Sequence, residues 1–172
     1  DGKTVIGVKT DEGEYRAKKT ILNADFAHAM TTLVPDSRRK RWSNKKLQKK
    51  GYSCSTFMLY LGMDKLYEQP HHQIYASKEY ENNLKDITQH KITWNDPSLY
   101  VQNACITDPS LAPDGKSTLY VLVPVPNTDE SIVWDDIKDD YSEVILDMMQ
   151  EKLGFGNILS LIHISEPTRQ AS

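Results

Sequence analysis

Leu119-Tyr120-Val121-Leu122-Val123-Pro124-Val125 is the longest apolar run in the chain, and its reading decides the fold. It has the length of a strand and falls far short of the roughly 20 residues that cross a bilayer. A nearly continuous run of this kind predicts burial on both faces, hence a central place in a sheet. Pro124 and Pro126 are expected to end its pairing, because proline has no N–H to give to a ladder.

On the N-terminal side of this run, residues 53–61, 71–76 and 98–106 read as further strands, and residues 79–88 as a polar helix. Within the first of these strands, alternation puts Phe57, Leu59 and Leu61 on one face and Met58 and Tyr60 on the other. The loop at residues 108–116 holds two prolines and Asp114-Gly115, the chemistry of a defined turn. On the C-terminal side, Ile137, Tyr141, Val144, Ile145, Met148, Met149 and Leu153 keep helical spacing over residues 135–153. Gly154 follows as the expected C-cap. Residues 4–9 and 14–22 form two short β-type runs around Asp11-Glu12-Gly13, a hairpin signal. Asn23 or Asp25 then caps a helix whose apolar face is Phe26, Ala29, Met30 and Leu33, stopped by Pro35. Ser43 can cap a short basic helix in which Trp42 and Leu47 are the large apolar residues. The residues alone therefore imply an α+β domain with an antiparallel sheet.

Charge is unevenly placed. Residues 1–50 hold thirteen Lys or Arg against six Asp or Glu, whereas the rest of the chain holds eight against eighteen. The basic excess is concentrated in RRKRWSNKKLQKK, residues 38–50. Three readings stay open for it: an exposed helix, an anionic membrane surface, or nucleic acid. The two cysteines, Cys54 and Cys105, lie in apolar stretches and read as buried free thiols of a reducing compartment.

Motifs for chemistry are sparse. His71 and His72 are adjacent, His28 lies in the first helix and His90 in a polar loop; no HxxxH, HExxH or CxxC spacing occurs, so no metal ligand is assigned. Asp135, Asp136, Asp139 and Asp140 read as the solvated face of the long helix. There is no GxGxxG, Walker loop or GxSxG elbow, so no free-standing nucleotide site is expected. The start, Asp1-Gly2-Lys3, reads as a position inside a longer protein.

Two long strings carry more. KKGYSCSTFMLYLGMDKLYEQPHHQIY, residues 49–75, and YVQNACITDPSLAPDGKSTLYVLVPVPN, residues 100–127, resemble the middle of bacterial-type phytoene desaturases in the flavin-containing amine oxidoreductase superfamily. The family pattern is a Ser-rich strand ending in Tyr-Leu-Gly, a His-His pair, Val-Thr-Asp-Pro-Ser-Leu-Ala-Pro-x-Gly, and Val-Pro-Val-Pro. Ile106 stands here in place of the Val. The resemblance covers residues 1 to about 157 and is strongest over 52–127.

It implies an α+β fold: the antiparallel or mixed sheet of a substrate domain with flanking helices, part of a two-domain FAD-dependent oxidoreductase. It implies FAD as cofactor and a phytoene-like C40 or C30 carotenoid precursor as partner, desaturated or isomerised at a membrane surface on the cytoplasmic side, with no nucleic acid. Residues 1–35 become a hairpin and helix returning toward the FAD domain, with Asn23, Ala24 and Asp25 near the cofactor; a helix cap is the equal alternative for Asn23 and Asp25. Residues 36–158 become part of the substrate domain, with Phe57, Leu59, Tyr60, Leu61, Tyr120 and Leu122 as polyene contacts, since a hydrocarbon is recognised by apolar walls. The flavin carries the hydride chemistry in such enzymes, so no catalytic residue is assigned in this stretch. The rival from a different class is a non-enzymatic basic binding module centred on residues 38–50.

Residues 159–172, LSLIHISEPTRQAS, resemble the in-frame translation of a transposase sequencing adaptor followed by index bases. They are expected to pack poorly and to hold no fixed place in the fold, so His163 and Glu166 carry no functional weight.

Overall fold

A computed structural model describes residues 4–127, 131–156 and 158–165. Two compact units divide between Lys50 and Gly51, farther along the chain than the boundary expected after residue 35.

In the first unit, β1 (Gly7–Thr10) pairs antiparallel with β2 (Gly13–Arg16), closing the expected hairpin on Asp11 and Glu12. Gly7 is obligatory: its φ is +158°, and a Cβ there would lie 2.1 Å from the Tyr15 carbonyl oxygen. The helix α1 (Phe26–Leu33) is capped by Asp25, whose carboxylate accepts from the His28 N–H at 2.8 Å. It buries Ala27 and Ala29. A short α2 (Asn44–Leu47) follows Ser43 and buries Leu47. Arg39, inside the basic run, is itself buried at 5% exposure. Its guanidinium donates to Asn44 Oδ1 at 2.6 Å and lies 3.4 Å from Asp36 Oδ1, so it fastens the turn to the start of α2. A basic run reads as solvated throughout; here one of its bases is a structural tie.

The second unit is built on a five-stranded antiparallel sheet. In chain order its elements are β3 (Ser55–Met63), β4 (His72–Tyr75), α3 (Tyr80–Thr88), β5 (Leu99–Gln102), β6 (Ser117–Val125), α4 (Trp134–Leu153) and β7 (Ile158–Ser165). The strands lie in the order β4-β5-β6-β3-β7, which puts the decisive apolar run in the middle as expected. Its burial alternates, however: Leu119, Val121, Val123 and Val125 are buried, and Tyr120, Leu122 and Pro124 are half-buried. Both faces are apolar in sequence, but α4 covers only one.

Pro124 does not end the strand. It pairs with Thr56 of β3, while pairing with β5 stops at Leu122. A missing N–H is tolerated where one side of a strand has no partner. The strand read over residues 98–106 is likewise shortened, ending at Gln102. Asn103, fully buried, donates from Nδ2 to the carbonyls of Tyr67 and Gln69, both at 3.0 Å, and turns the chain into a 3-10 segment. Cys54 is exposed, because β3 begins one residue later; Cys105 is buried.

The core lies between the sheet and α4. Phe57, Leu59 and Leu61 of β3 and Val121 and Val123 of β6 face Tyr141, Ile145 and Met149, which repeat every four residues on α4. Each fully buried side chain of this kind contributes about 1.5–3 kcal/mol. Gly154 ends α4 in the left-handed conformation, φ +72°, as its position predicts.

Residues 159–165, the described part of the 159–172 tail expected to hold no fixed place, belong to β7 (Ile158–Ser165), antiparallel to β3 at the sheet edge. The physical reason is the edge itself: an unpaired row of N–H and C=O groups accepts a β-prone segment. Residues 166–172 lie outside the described residues.

Candidate functional site

The period of two that buries Phe57, Leu59 and Leu61 turns the alternate residues outward. Register then fixes which of them meet. Met58, Leu122 and Tyr100 lie across from one another, with Ile74 next in the same row. Tyr60, Tyr120 and Gln102 form the adjacent row, with His72 beyond. The result is one apolar and aromatic surface across β3, β6, β5 and β4.

Its tyrosines are mutually braced. The rings of Tyr60 and Tyr120 meet edge to face at 5.3 Å, and those of Tyr100 and Tyr120 at 6.3 Å. Tyr120 donates to Met58 Sδ at 3.7 Å. The Tyr100 hydroxyl lies 2.7 Å from His72 Nδ1, and the two rings stack at 6.0 Å. Edge-to-face pairs each add about 0.5–1.5 kcal/mol beyond area burial, so the wall is preorganised. Desolvation, then the neighbouring Tyr60 and Tyr100 hydroxyls, push the Tyr120 phenol above its ordinary value. The Tyr120 phenol therefore keeps its proton at neutral pH.

The surface runs into an apolar groove of about 200 Å³ whose walls include Ile74, Tyr100, Leu122 and Pro124 from the sheet and Tyr80 and Leu84 from α3. Asn83 fixes α3 there: it donates to Thr93 Oγ1 at 2.9 Å and accepts from the Ser98 N–H at 3.2 Å. Asp96 ties the same corner, accepting from the Tyr75 hydroxyl at 2.6 Å and the Lys78 N–H at 2.7 Å. Desolvation works against its charged form, but these hydrogen bonds prevail and hold the carboxyl below its ordinary value.

Of the six residues expected to contact a polyene, Tyr60, Tyr120 and Leu122 lie together on this open face. Phe57, Leu59 and Leu61 lie behind it, each at 0% exposure under α4. The six cannot line one cavity. Met58 joins Tyr60 there, as alternation along β3 predicts, whereas Tyr100, Ile74 and His72 escape sequence reading, because only cross-strand register brings them to the open face.

The expected flavin contacts sit in the first unit. Asp25 uses its carboxylate as the cap of α1, and Asn23, Ala24 and Asp25 are exposed just ahead of that helix. Dinucleotides are held where a glycine-rich turn joins a strand to a helix N-terminus. Here nine residues, without glycine, separate β2 from α1, so these residues do not fit a flavin cradle by themselves. Among the described residues, no group of three or more His, Cys, Asp or Glu is placed to hold a metal ion. No helix among them is long and apolar enough to cross a membrane.

No family model matches the chain. Curated proteins do: a 4,4'-diapophytoene desaturase (4,4'-diapolycopene-forming) of Methylomonas sp is 48% identical over 153 residues, covering 88% of this chain and 30% of that protein. An all-trans-zeta-carotene desaturase of Myxococcus xanthus is 40% identical over 171 residues, covering 96% and 32%. A phytoene desaturase (neurosporene-forming) of Rhodobacter capsulatus is 34% identical over 160 residues, covering 89% and 30%. All three are desaturases of carotenoid precursors. The chain belongs to the phytoene desaturase family, and it spans about 30% of the length of these relatives.

Proposed function

We propose that this chain supplies the polyene-facing wall of an FAD-dependent carotenoid desaturase. The observation that carries the reading is the open face of the sheet. Three braced tyrosines with Met58, Leu122 and Ile74 make a preorganised, largely apolar surface, and it continues into an apolar groove. A long hydrocarbon offers no polar handle, so its recognition rests on such walls. In this reading Tyr60, Tyr120 and Leu122 touch substrate, joined by Met58 and Tyr100. Phe57, Leu59 and Leu61 hold the sheet in place.

A flavin bound in the parent enzyme would supply hydride-accepting chemistry toward the polyene. This stretch contributes orientation and exclusion of water. A water-insoluble substrate supports a membrane surface as the parent's working place, and the cytoplasmic side is part of the same proposal. The desaturase relatives favour this reading over a non-enzymatic basic module.

The test is conversion. The reading frame extended to the length of its relatives is expressed in cells that accumulate a colourless C30 or C40 precursor. Desaturation lengthens the conjugated system, so new long-wavelength absorption bands are expected, and Tyr120→Ala with Leu122→Ala should weaken them at unchanged protein level. Failure of a folded, flavin-loaded parent to produce those bands from either precursor would overturn the proposal.

A further inference from the structure

We infer that the basic face around Trp42 is a docking surface for an anionic lipid bilayer. Arg41, Lys46, Lys49 and Lys50 surround Trp42 in an open basin of about 450 Å³. The Lys50 ammonium lies 5.6 Å from the Trp42 ring centre, and Phe26 meets the same indole edge to face at 5.0 Å. Four cations thus ring a half-buried indole, with the 47% exposed Phe26 beside it.

The charge there is uncompensated. Between residues 26 and 50 the only carboxylate is Asp36. It is engaged by the Arg39 guanidinium at 3.4 Å and faces the Asn44 N–H at 3.4 Å. Among the described residues, no carboxylate pairs with the four basin cations. Such a site favours an anion, and the aromatic pair selects which kind. Indole rings settle at the level of lipid headgroups, where one edge is apolar and the other wet. Juxtaposed lysines and arginines gain from the negative surface potential of an anionic leaflet. Arg39 has no part in that surface; it is the internal tie that holds the face in shape.

The inference draws on the carotenoid reading only for the presence of a bilayer. Its test needs no polyene, so its failure leaves that reading untouched. The 172-residue chain is sedimented with vesicles of phosphatidylcholine alone and with vesicles containing phosphatidylglycerol, at low and high salt. Binding to the anionic vesicles only, weakening strongly as salt shortens the screening length from about 10 Å at 0.1 M to about 3 Å at 1 M, is expected. The variant Arg41→Gln/Lys46→Gln/Lys49→Gln/Lys50→Gln should lose roughly a thousandfold in partitioning, at about 1 kcal/mol per base removed. The charge-matched variant Lys9→Gln/Arg16→Gln/Lys18→Gln/Lys19→Gln should lose only a few-fold.

Far-UV circular dichroism checks that both variants fold, and the salt dependence of the unaltered chain stands even if one does not. Three results each overturn the inference: equal losses in the two variants, equal binding to neutral vesicles, or no vesicle binding. So does tighter binding to a short duplex DNA that is lost in the basin variant, which would make this a nucleic-acid surface.

Discussion

Replacing Phe57 by Ala separates the two faces of β3. The side chain is fully buried, stacked on Trp134 at 5.3 Å and meeting Tyr141 edge to face at 5.2 Å. Truncating a buried Phe costs about 3–5 kcal/mol, the transfer loss and the residual cavity together. The two aromatic contacts place this site toward the upper end, since each is worth about 0.5–1.5 kcal/mol. A native domain has about 5–15 kcal/mol in total, so the variant retains a measurable but reduced stability. With a urea slope of about 2 kcal/mol per molar, a loss of 4 kcal/mol lowers the midpoint by about 2 M. Leu122→Ala, on the open and half-buried face, should move it by about 0.5 M. The assay is urea unfolding followed in parallel by circular dichroism and by tryptophan fluorescence, with coincident transitions required. A Phe57→Ala shift below 0.5 M, or a larger shift for Leu122→Ala, would refute the assignment of the core face.

Asp96→Ala should remove part of the acid sensitivity of the second unit. The folded carboxyl lies below its ordinary value, so its contribution is full above the unfolded value near 3.9 and is lost as pH falls through the folded one; melting profiles between pH 2.5 and 6 check this. Asn103→Asp replaces the amide that donates to two carbonyls with a carboxylate that cannot. Its folded pKa must rise, so the penalty should be small below pH 4 and grow as pH increases toward neutrality, read by the same melts. Truncation after residue 157 should lower the melting temperature by less than about 4 °C. Removal of an integral edge strand would cost several kcal/mol, or about 10 °C.

What the sequence disclosed is mostly periodicity. The alternation in β3, the apolar run of β6 and the spacing of Tyr141, Ile145 and Met149 were all visible as local pattern. What it concealed is a matter of partners. Residues 57–61 are apolar on both parities, so alternation defines two faces without saying which one α4 will cover. Tyr100 joins Tyr120 and Tyr60 only through the β5–β6 and β6–β3 registers, a long-range fact. Arg39 looks like its neighbours until its guanidinium is seen against Asn44. Asn103 shortens β5 through a side chain that bonds carbonyls more than thirty residues away.

The pairing of β7 with β3 is informative in its irregularity. β3 and β6 hold nine consecutive partners without a slip, the behaviour of strands whose buried faces fix their register. Against β7 the same strand holds six partners with two shifts, between Tyr60 and Leu61 and between Gly62 and Met63. Residues 158–165 are rich in Ile, Leu and Ser, with no proline or charged carboxylate, which is what an open edge accepts. An adaptor-encoded segment of that composition can take the edge without having been selected for it. Backbone pairing at an open edge is enough to place such a segment. The site on the open face is independent of this edge in its aromatic bracing, since Tyr60, Tyr120 and Tyr100 brace one another from β3, β6 and β5.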